Sequence, residues 1–407
     1  MMRKSRASVD ASYLKQYNRR LILDAVFERN TTSRAELSKA LGLSKPAISD
    51  NIAELLHLGV VEEVGEGSAA KKGGRKPLLL KFNRNHKYIV SVDLNYSNPI
   101  VALGNLKNEI IREYDIGIGL DTSRDYRFSV IENGIDSLLA ASGLAGEDLF
   151  CIAVSSPGVF DARGNILSQN EGLGRILWSG NNLWDALQKK YNAHIIVKND
   201  IKAATLGEWA FGAGKGEENL LYINCGAGLG AGIVLNSKLY EGRHCNAGEI
   251  YYYLDGRGAK HTGGLEDRIC MKQLLESVAA DIQKGVKTCL PNGVNPIGFG
   301  EVVSAYRKKD PYVLRRVKRI CGELCALMFN LGNFLAVDEV IFGGEYAAFG
   351  ETLLAEYEKR YLPRIRFSAS VKPAALGKYS GIHGMLYTAR EAYFDSICNI
   401  NISEKET

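Results

Sequence analysis

Ser33-Arg34-Ala35-Glu36-Leu37-Ser38-Lys39-Ala40-Leu41-Gly42-Leu43-Ser44-Lys45-Pro46-Ala47-Ile48-Ser49-Asp50 decides how the first part of this chain folds. Ser33 and Glu36 have the spacing of a capping box, in which each side chain satisfies a free backbone N–H of a helix start. Gly42 can take the left-handed conformation that ends that helix after Leu41. Ser44 can cap a third helix, with Pro46 in its first turn where a missing N–H costs nothing. This helix should run to about Leu58 and stop at Gly59. Upstream, Tyr13 to Phe27 has apolar residues every third or fourth place, an amphipathic helix broken at Asn30-Thr31-Thr32. The layout is that of a helix-turn-helix. On the third helix Ile48, Ile52, Leu55 and Leu56 share one face, expected to pack inward. Lys45, Ser49, Asp50 and Ala53 face outward. Ser44, Lys45 and Ser49, near its N-terminus, are the candidates for base edges in a major groove.

Working outward, Val60 to Val64 and Leu78 to Phe82 read as strands flanking a basic stretch, Gly65 to Pro77. That is a β-wing. Lys71, Lys72, Arg75 and Lys76 are expected to contact phosphates and add salt-dependent affinity blind to sequence. Alternatively, Gly73-Gly74-Arg75-Lys76-Pro77 enters the minor groove of an A·T tract, since glycines permit close approach. Residues 1–85 hold 16 Lys/Arg against 9 Asp/Glu, and the remainder 35 against 37, so the whole basic excess lies in this module. A three-helix segment with a basic loop could also serve protein–protein contact. Capping, punctuation, wing and charge agree on double-stranded DNA. One recognition helix reads few bases, so a homodimer or higher oligomer is expected.

The whole chain has 407 residues, too many for one ordinary domain. It divides into residues 1–85, the winged helix-turn-helix, and 86–407. Apolar residues make up 46% and charged residues 24%, the balance of a globular protein with ample core. The sequence has no run of 18 apolar residues and no signal-peptide pattern, which argues against a membrane or secreted protein. Eight scattered cysteines do not make a disulfide scaffold, so a reduced, cytoplasmic compartment is expected.

From residue 86 strands alternate with helices. Strands are expected at Tyr88–Leu94, Pro99–Gly104, Glu109–Tyr114, Phe150–Val154 and His194–Lys198, with helices near 122–142, at Leu183–Tyr191 and from Ile201 to Gly212. The plan then restarts with strands Asn219–Asn224 and Gly230–Asn236, long helices after 266, strand Glu339–Phe342 and helices to the C-terminus. Two similar α/β halves suggest lobes that close on a ligand. Helices between 311 and 336, and near 384–395, offer dimer surfaces.

Several segments of this body resemble the ROK family of repressors and sugar kinases. They are Cys225-Gly226-Ala227-Gly228-Leu229-Gly230-Ala231-Gly232, then Lys238 to Gly242 and Ala247-Gly248-Glu249-Ile250, with Lys198-Asn199-Asp200 before a helix. Ser155 to Val159, the turn Asp161 to Gly164 and Ile341-Phe342-Gly343-Gly344 add to them. The N-terminal wing with its Gly-Gly-Arg-Lys-Pro resembles the repressor branch, of the xylose-repressor kind. The resemblance implies a two-lobed, actin-like, sugar-kinase-like α/β domain after the winged module. It also implies that Asn199, Asp200, Glu249 and Glu266 bind a sugar. In the family's kinases the residue matching Asp200 is the general base.

The kinase chemistry looks lapsed. The Asp-x-Gly-Gly-Thr turn of family kinases is here Asp93-Leu94-Asn95-Tyr96-Ser97-Asn98, lacking both glycines. Ala227 stands where kinases usually carry a hydroxyl residue. The family's zinc pattern is also missing: Tyr252 replaces its His, and Arg257, Ala259 and Gly264 replace its cysteines, so no metal is expected. Tyr252 could hydrogen-bond the sugar in the lost His's place. A different metal set from His244, Cys245, His261 and Cys270 is the weaker alternative. The expectation is thus a sugar-responsive repressor of carbohydrate-metabolism genes, without catalytic residues or cofactor. Its rivals are a sugar kinase that keeps a DNA-binding arm, and a DNA-binding regulator that takes no ligand.

Overall fold

Helix α1 (Ala11–Phe27) opens the computed structural model, which describes residues 11–67, 76–95, 99–117, 124–161, 166–168, 183–253, 264–291, 297–364 and 369–399. A two-residue strand β1 (Thr32–Ser33) leads into α2 (Arg34–Leu41) and α3 (Lys45–His57). The capping box forms: Ser33 Oγ accepts the Glu36 N–H at 3.3 Å, and the Glu36 carboxylate accepts the Ser33 N–H at 2.9 Å. Gly42 takes φ 67°, and the Ser44 hydroxyl caps α3 by accepting the Ala47 N–H. Ile48, Ile52 and Leu55 are fully buried and Leu56 is half-buried, while Lys45, Ser49, Asp50 and Ala53 are exposed. The wing strands β2 (Val61–Glu66) and β3 (Leu78–Phe82) pair antiparallel, and β1 adds to the far edge of β3. This third strand escapes sequence reading because two residues carry no periodicity.

The first lobe comprises β4 (Tyr88–Asp93), β5 (Ile100–Asn105), β6 (Ile110–Asp115), α4 (Arg124–Ser142) and β7 (Leu149–Ser156). A small ribbon of β8 (Val159–Phe160) and β9 (Ile166–Ser168), then α5 (Leu183–Tyr191) and β10 (His194–Asn199), complete it. The sheet order is β10-β7-β4-β5-β6, with β4 to β6 antiparallel and β7 and β10 parallel to β4. Helix α6 (Asp200–Phe211) crosses to the second lobe. That lobe holds β11 (Leu220–Cys225), β12 (Leu229–Leu235), β13 (Lys238–Leu239), α7 (Glu266–Ile269), α8 (Met271–Gln283), α9 (Phe299–Arg307), α10 (Pro311–Leu335), β14 (Glu339–Gly343), α11 (Gly350–Arg360) and β15 (Ser370–Pro373). Its order, β13-β12-β11-β14-β15, repeats the first: a central strand, a meander on one side and two parallel strands on the other. Each lobe has its own apolar core.

Three expectations change. The C-terminal stretch is not all helical, since β15 extends the second sheet, and a four-residue segment ending in Pro gave no strand signal. The first helix after residue 266 is a single turn rather than a long one. The third change concerns the terminal helix α12 (Ser380–Ile397), which is no free dimer surface. Ile382, Met385, Leu386, Ala389 and Phe394 are buried against the first lobe and the winged module.

Helix α12 joins what the sequence keeps apart. Its start packs backbone to backbone on α6, where a Cβ on Gly384 would stand 1.7 Å from the Ala203 carbonyl oxygen. A Cβ on Gly207 would stand 2.0 Å from the Ser380 carbonyl oxygen. Its far end meets the winged module in a cluster of Phe27, Phe82 and Phe394, with ring centroids 5.1–5.6 Å apart and edge-on. Arg20 of α1 reaches Asp395 at 2.6 Å and also pairs with Glu391. One continuous core therefore runs from α1 through α12 into the first sheet.

Gly384→Ala should cost about 3 kcal/mol or more, because rigid backbone faces the new methyl group. Gly300→Ala, in α9 with no atom near its added Cβ, should be neutral or mildly stabilising. Urea denaturation of both variants checks the contrast.

Candidate functional site

Between the lobes lies a cleft of about 370 Å³. Its first-lobe wall is the C-terminal end of β4, β7 and β10 together with the start of α6. Parallel strands bring their ends side by side, Asp93 opposite Ser155 and Asn199 opposite Ser156, so these residues converge there. Asn199 is the N-cap of α6: its Oδ1 accepts the N–H groups of Ile201 and Lys202, each at 3.1 Å. Its Nδ2 donates to the Gly158 carbonyl at 2.9 Å, which ties the β7–β8 turn to the helix start. The amide lines the cleft but has most of its hydrogen-bonding capacity committed to the protein.

Asp200 follows as the first residue of α6, and its Oδ1 accepts the Ile201 N–H at 3.0 Å. Burial, followed by the nearby charge of Asp93 and a smaller contribution from Glu249, pushes its pKa up to about 7. Asp93 itself is 4% exposed and accepts hydrogen bonds from Ser155 Oγ at 2.6 Å and Asn95 Nδ2 at 2.9 Å. Burial raises its pKa as well, against those hydrogen bonds. In the sequence Asp93 stands out only as part of a lapsed phosphate turn. A carboxylate at the end of a buried central strand was the signal that could have marked it.

The second-lobe wall brings Glu249 and Glu266. Gly248 has φ 90°, and its missing Cβ would stand 2.0 Å from the Ala231 carbonyl oxygen, so only glycine lets this turn press against β12. That contact delivers Glu249 to the cleft. Glu266 begins α7, and its carboxylate accepts the Leu229 N–H at 2.9 Å. Both acids have raised pKa values, in each case chiefly by burial. Lys202, buried and in contact with the Cys245 carbonyl, opposes the shift at Glu249.

Four of the five sugar candidates, Asn199, Asp200, Glu249 and Glu266, therefore line one cleft. Tyr252 closes a short turn after Glu249, and its side chain lies outside the described residues. Tyr251 lines the cleft in the neighbouring position. Tyr96 and His261 fall outside the described residues too. Among the described residues no three His, Cys, Asp or Glu side chains gather as metal ligands. No described helix is long and apolar enough to cross a membrane.

On the winged module, Ser44, Lys45 and Ser49 lie together on the exposed N-terminal part of α3. Lys76 sits on the wing, 3.6 Å from Glu66. Lys71, Lys72 and Arg75 lie outside the described residues.

A winged helix-turn-helix on a two-lobed, sugar-kinase-like α/β body with an acidic cleft defines the class. The chain belongs to the ROK family, whose model matches residues 89–392. It is 28% identical to a xylose repressor of Caldicellulosiruptor bescii, over 84% of this chain and 86% of that protein. A glucokinase of Halalkalibacterium halodurans is also 28% identical, over 73% of this chain and 93% of its own. Among solved structures, a ROK family transcriptional regulator described as a homologue of the Escherichia coli MLC protein superposes with a TM-score of 0.78. That likeness spans 95% of this chain and 98% of the other, at 22% identity.

A raised Asp200 pKa has a stability consequence of definite sign. Between about pH 4 and pH 7 the folded protein keeps a proton that the unfolded chain has released, so this group's contribution to stability falls as pH rises through that window. Asp200→Asn should therefore melt a few degrees above wild type at pH 8, with the difference closing towards pH 4. Calorimetry across that range checks it, and a pH-independent difference would contradict the assignment.

Proposed function

We propose that this protein is a sugar-responsive transcriptional repressor, cytoplasmic and without catalytic activity, that binds operator DNA as a homodimer or higher oligomer. One observation carries the reading: α12 has its first turn at the cleft and its last turns in the winged module. A Cβ on Gly381 would stand 2.6 Å from Asp93 Oδ2, while Phe394 and Asp395 hold α1 and β3. A ligand in the cleft thus touches the element on which the DNA-binding module rests. The full-length match to a ROK regulator structure supports the same architecture, and the glucokinase match covers a smaller share of the chain.

In this reading Asp200, Glu249 and Glu266 accept hydrogen bonds from sugar hydroxyls, and Asn199 and Tyr252 add further polar contacts. Two oxygens per carboxylate can hold adjacent hydroxyls, which is why acids suit a polyol. Lys45, Ser49 and Ser44 meet base edges or flanking phosphates. Lys71, Lys72, Arg75 and Lys76 contact the backbone and set most of the salt dependence. Sugar binding that favours one lobe arrangement shifts operator affinity by its differential affinity for the two arrangements. About 1–3 kcal/mol gives roughly 5–150-fold induction.

Fluorescence anisotropy on DNA upstream of the protein's own gene, at fixed salt with a panel of pentoses, hexoses and amino sugars, tests this. One sugar should release the DNA without ATP. Asp200→Ala should keep operator affinity within about twofold and lose that release, since it removes a cleft acceptor without touching the module. Lys45→Ala should weaken operator binding about tenfold at unchanged sugar response. If no sugar alters operator affinity and no cleft substitution does either, the reading fails.

A further inference from the structure

The loop Cys225-Gly226-Ala227-Gly228 joins β11 to β12 and forms the second-lobe end of the cleft. A run of small residues with backbone N–H groups at a cleft wall is receptive to anions. In this protein an anion from the chain itself is already there. Glu345 follows the Gly343-Gly344 turn after β14, and its Oε2 accepts the Ala227 N–H at 3.1 Å. The same oxygen lies 1.6 Å from where a Cβ on Gly226 would stand. Gly226 is therefore the residue over which the Glu345 carboxylate lies. The turn that delivers it is equally constrained. Gly344 has φ 80°, and its missing Cβ would stand 2.5 Å from the Cys225 carbonyl oxygen.

Charge around the loop points the same way. The described lining of the cleft carries Asp93, Asp200, Glu249, Glu266 and Glu345 against one cation, Lys378, which is half-exposed and pairs with Glu113 at 3.6 Å. A phosphate at the loop would meet the Glu345 carboxylate at contact distance.

We propose that Glu345 is an internal anion that fills the anion-receptive face of the 225–228 loop and bars nucleotide phosphates from that end of the cleft. Loss of phosphate binding then has a positive cause in this chain, a carboxylate in the place of the ligand. The proposal concerns the same cleft as the effector reading but does not depend on a sugar binding there.

The test is titration calorimetry of Mg-ADP into wild type, Glu345→Ala and Glu345→Gln, with folding checked by circular dichroism. Wild type should give no saturable binding at millimolar nucleotide. Glu345→Ala should bind Mg-ADP at least about tenfold more tightly than wild type, in competition with inorganic phosphate. Glu345→Gln should fall between, because its amide oxygen can still accept the Ala227 N–H while the charge is gone. The proposal is overturned if wild type binds Mg-ADP as tightly as the variants, or if the folded variants bind no better than wild type. Should Glu345→Ala not fold, Glu345→Gln decides by the same comparison. No DNA or sugar enters the assay, so its failure is separate from failure of the repressor reading.

Discussion

Where α6 crosses α12, Gly207 and Gly384 bring two helix backbones into direct contact, and neither position has room for a methyl group. The buried Glu208 carboxylate reinforces the crossing by accepting the N–H groups of Ala213, Ala375 and Leu376 and the Ser380 hydroxyl, at 2.7–3.0 Å. At these two glycines backbone meets backbone, and there is little to absorb a displacement, because close-packed interiors transmit strain. The helix that begins with Asp200 and the helix that carries the winged module are thereby locked together. Cleft geometry and module position both depend on this crossing.

The cleft itself is electrostatically unrelaxed. Asp93, Asp200, Glu249 and Glu266 all have raised pKa values, chiefly through burial, and Asp200 is raised further by the charge of Asp93. Such a cluster opposes folding at neutral pH, a cost that suits a binding site better than a core. Hydroxyl donors would relieve it and phosphates would aggravate it. The same reasoning explains why the acids cluster at strand and helix ends, where N–H groups of Ile201 and Leu229 partly compensate their charge.

Much of this was legible in the sequence. The capping box at Ser33 and Glu36, the stop at Gly42 and the start at Ser44 are local signals, and each forms as read. Alternating strands and helices gave both lobes because buried strands announce themselves by composition. Long-range facts were not legible. Nothing in the Phe394 neighbourhood indicates that it meets Phe27 and Phe82, so α12 read as a free surface when it is the joint between module and body. Glycine had a similar ambiguity. Gly226 signals a close approach, and the sequence does not say whether a phosphate or Glu345 is what approaches. Asn199 read as a ligand, and its amide also caps α6 and holds the Gly158 turn, a role set by backbone geometry that spacing does not reveal.

The shared core also limits how the proposed regulation can work. The winged module, α12 and the first sheet bury their apolar side chains together, so the module cannot swing on a linker independently of the first lobe. Under the proposed regulation, lobe closure on a sugar would move the second lobe relative to module and first lobe as one body. In an oligomer joined through first lobes, that motion would leave the spacing of the recognition helices unchanged. In an oligomer joined through second lobes, the same motion would change that spacing. Its long helix α10 buries one face in the core and leaves Phe334 85% exposed near its C-terminal end. Closure against a subunit contact there would change the separation of two α3 helices, and DNA with half-sites a fixed number of turns apart would convert that change into affinity.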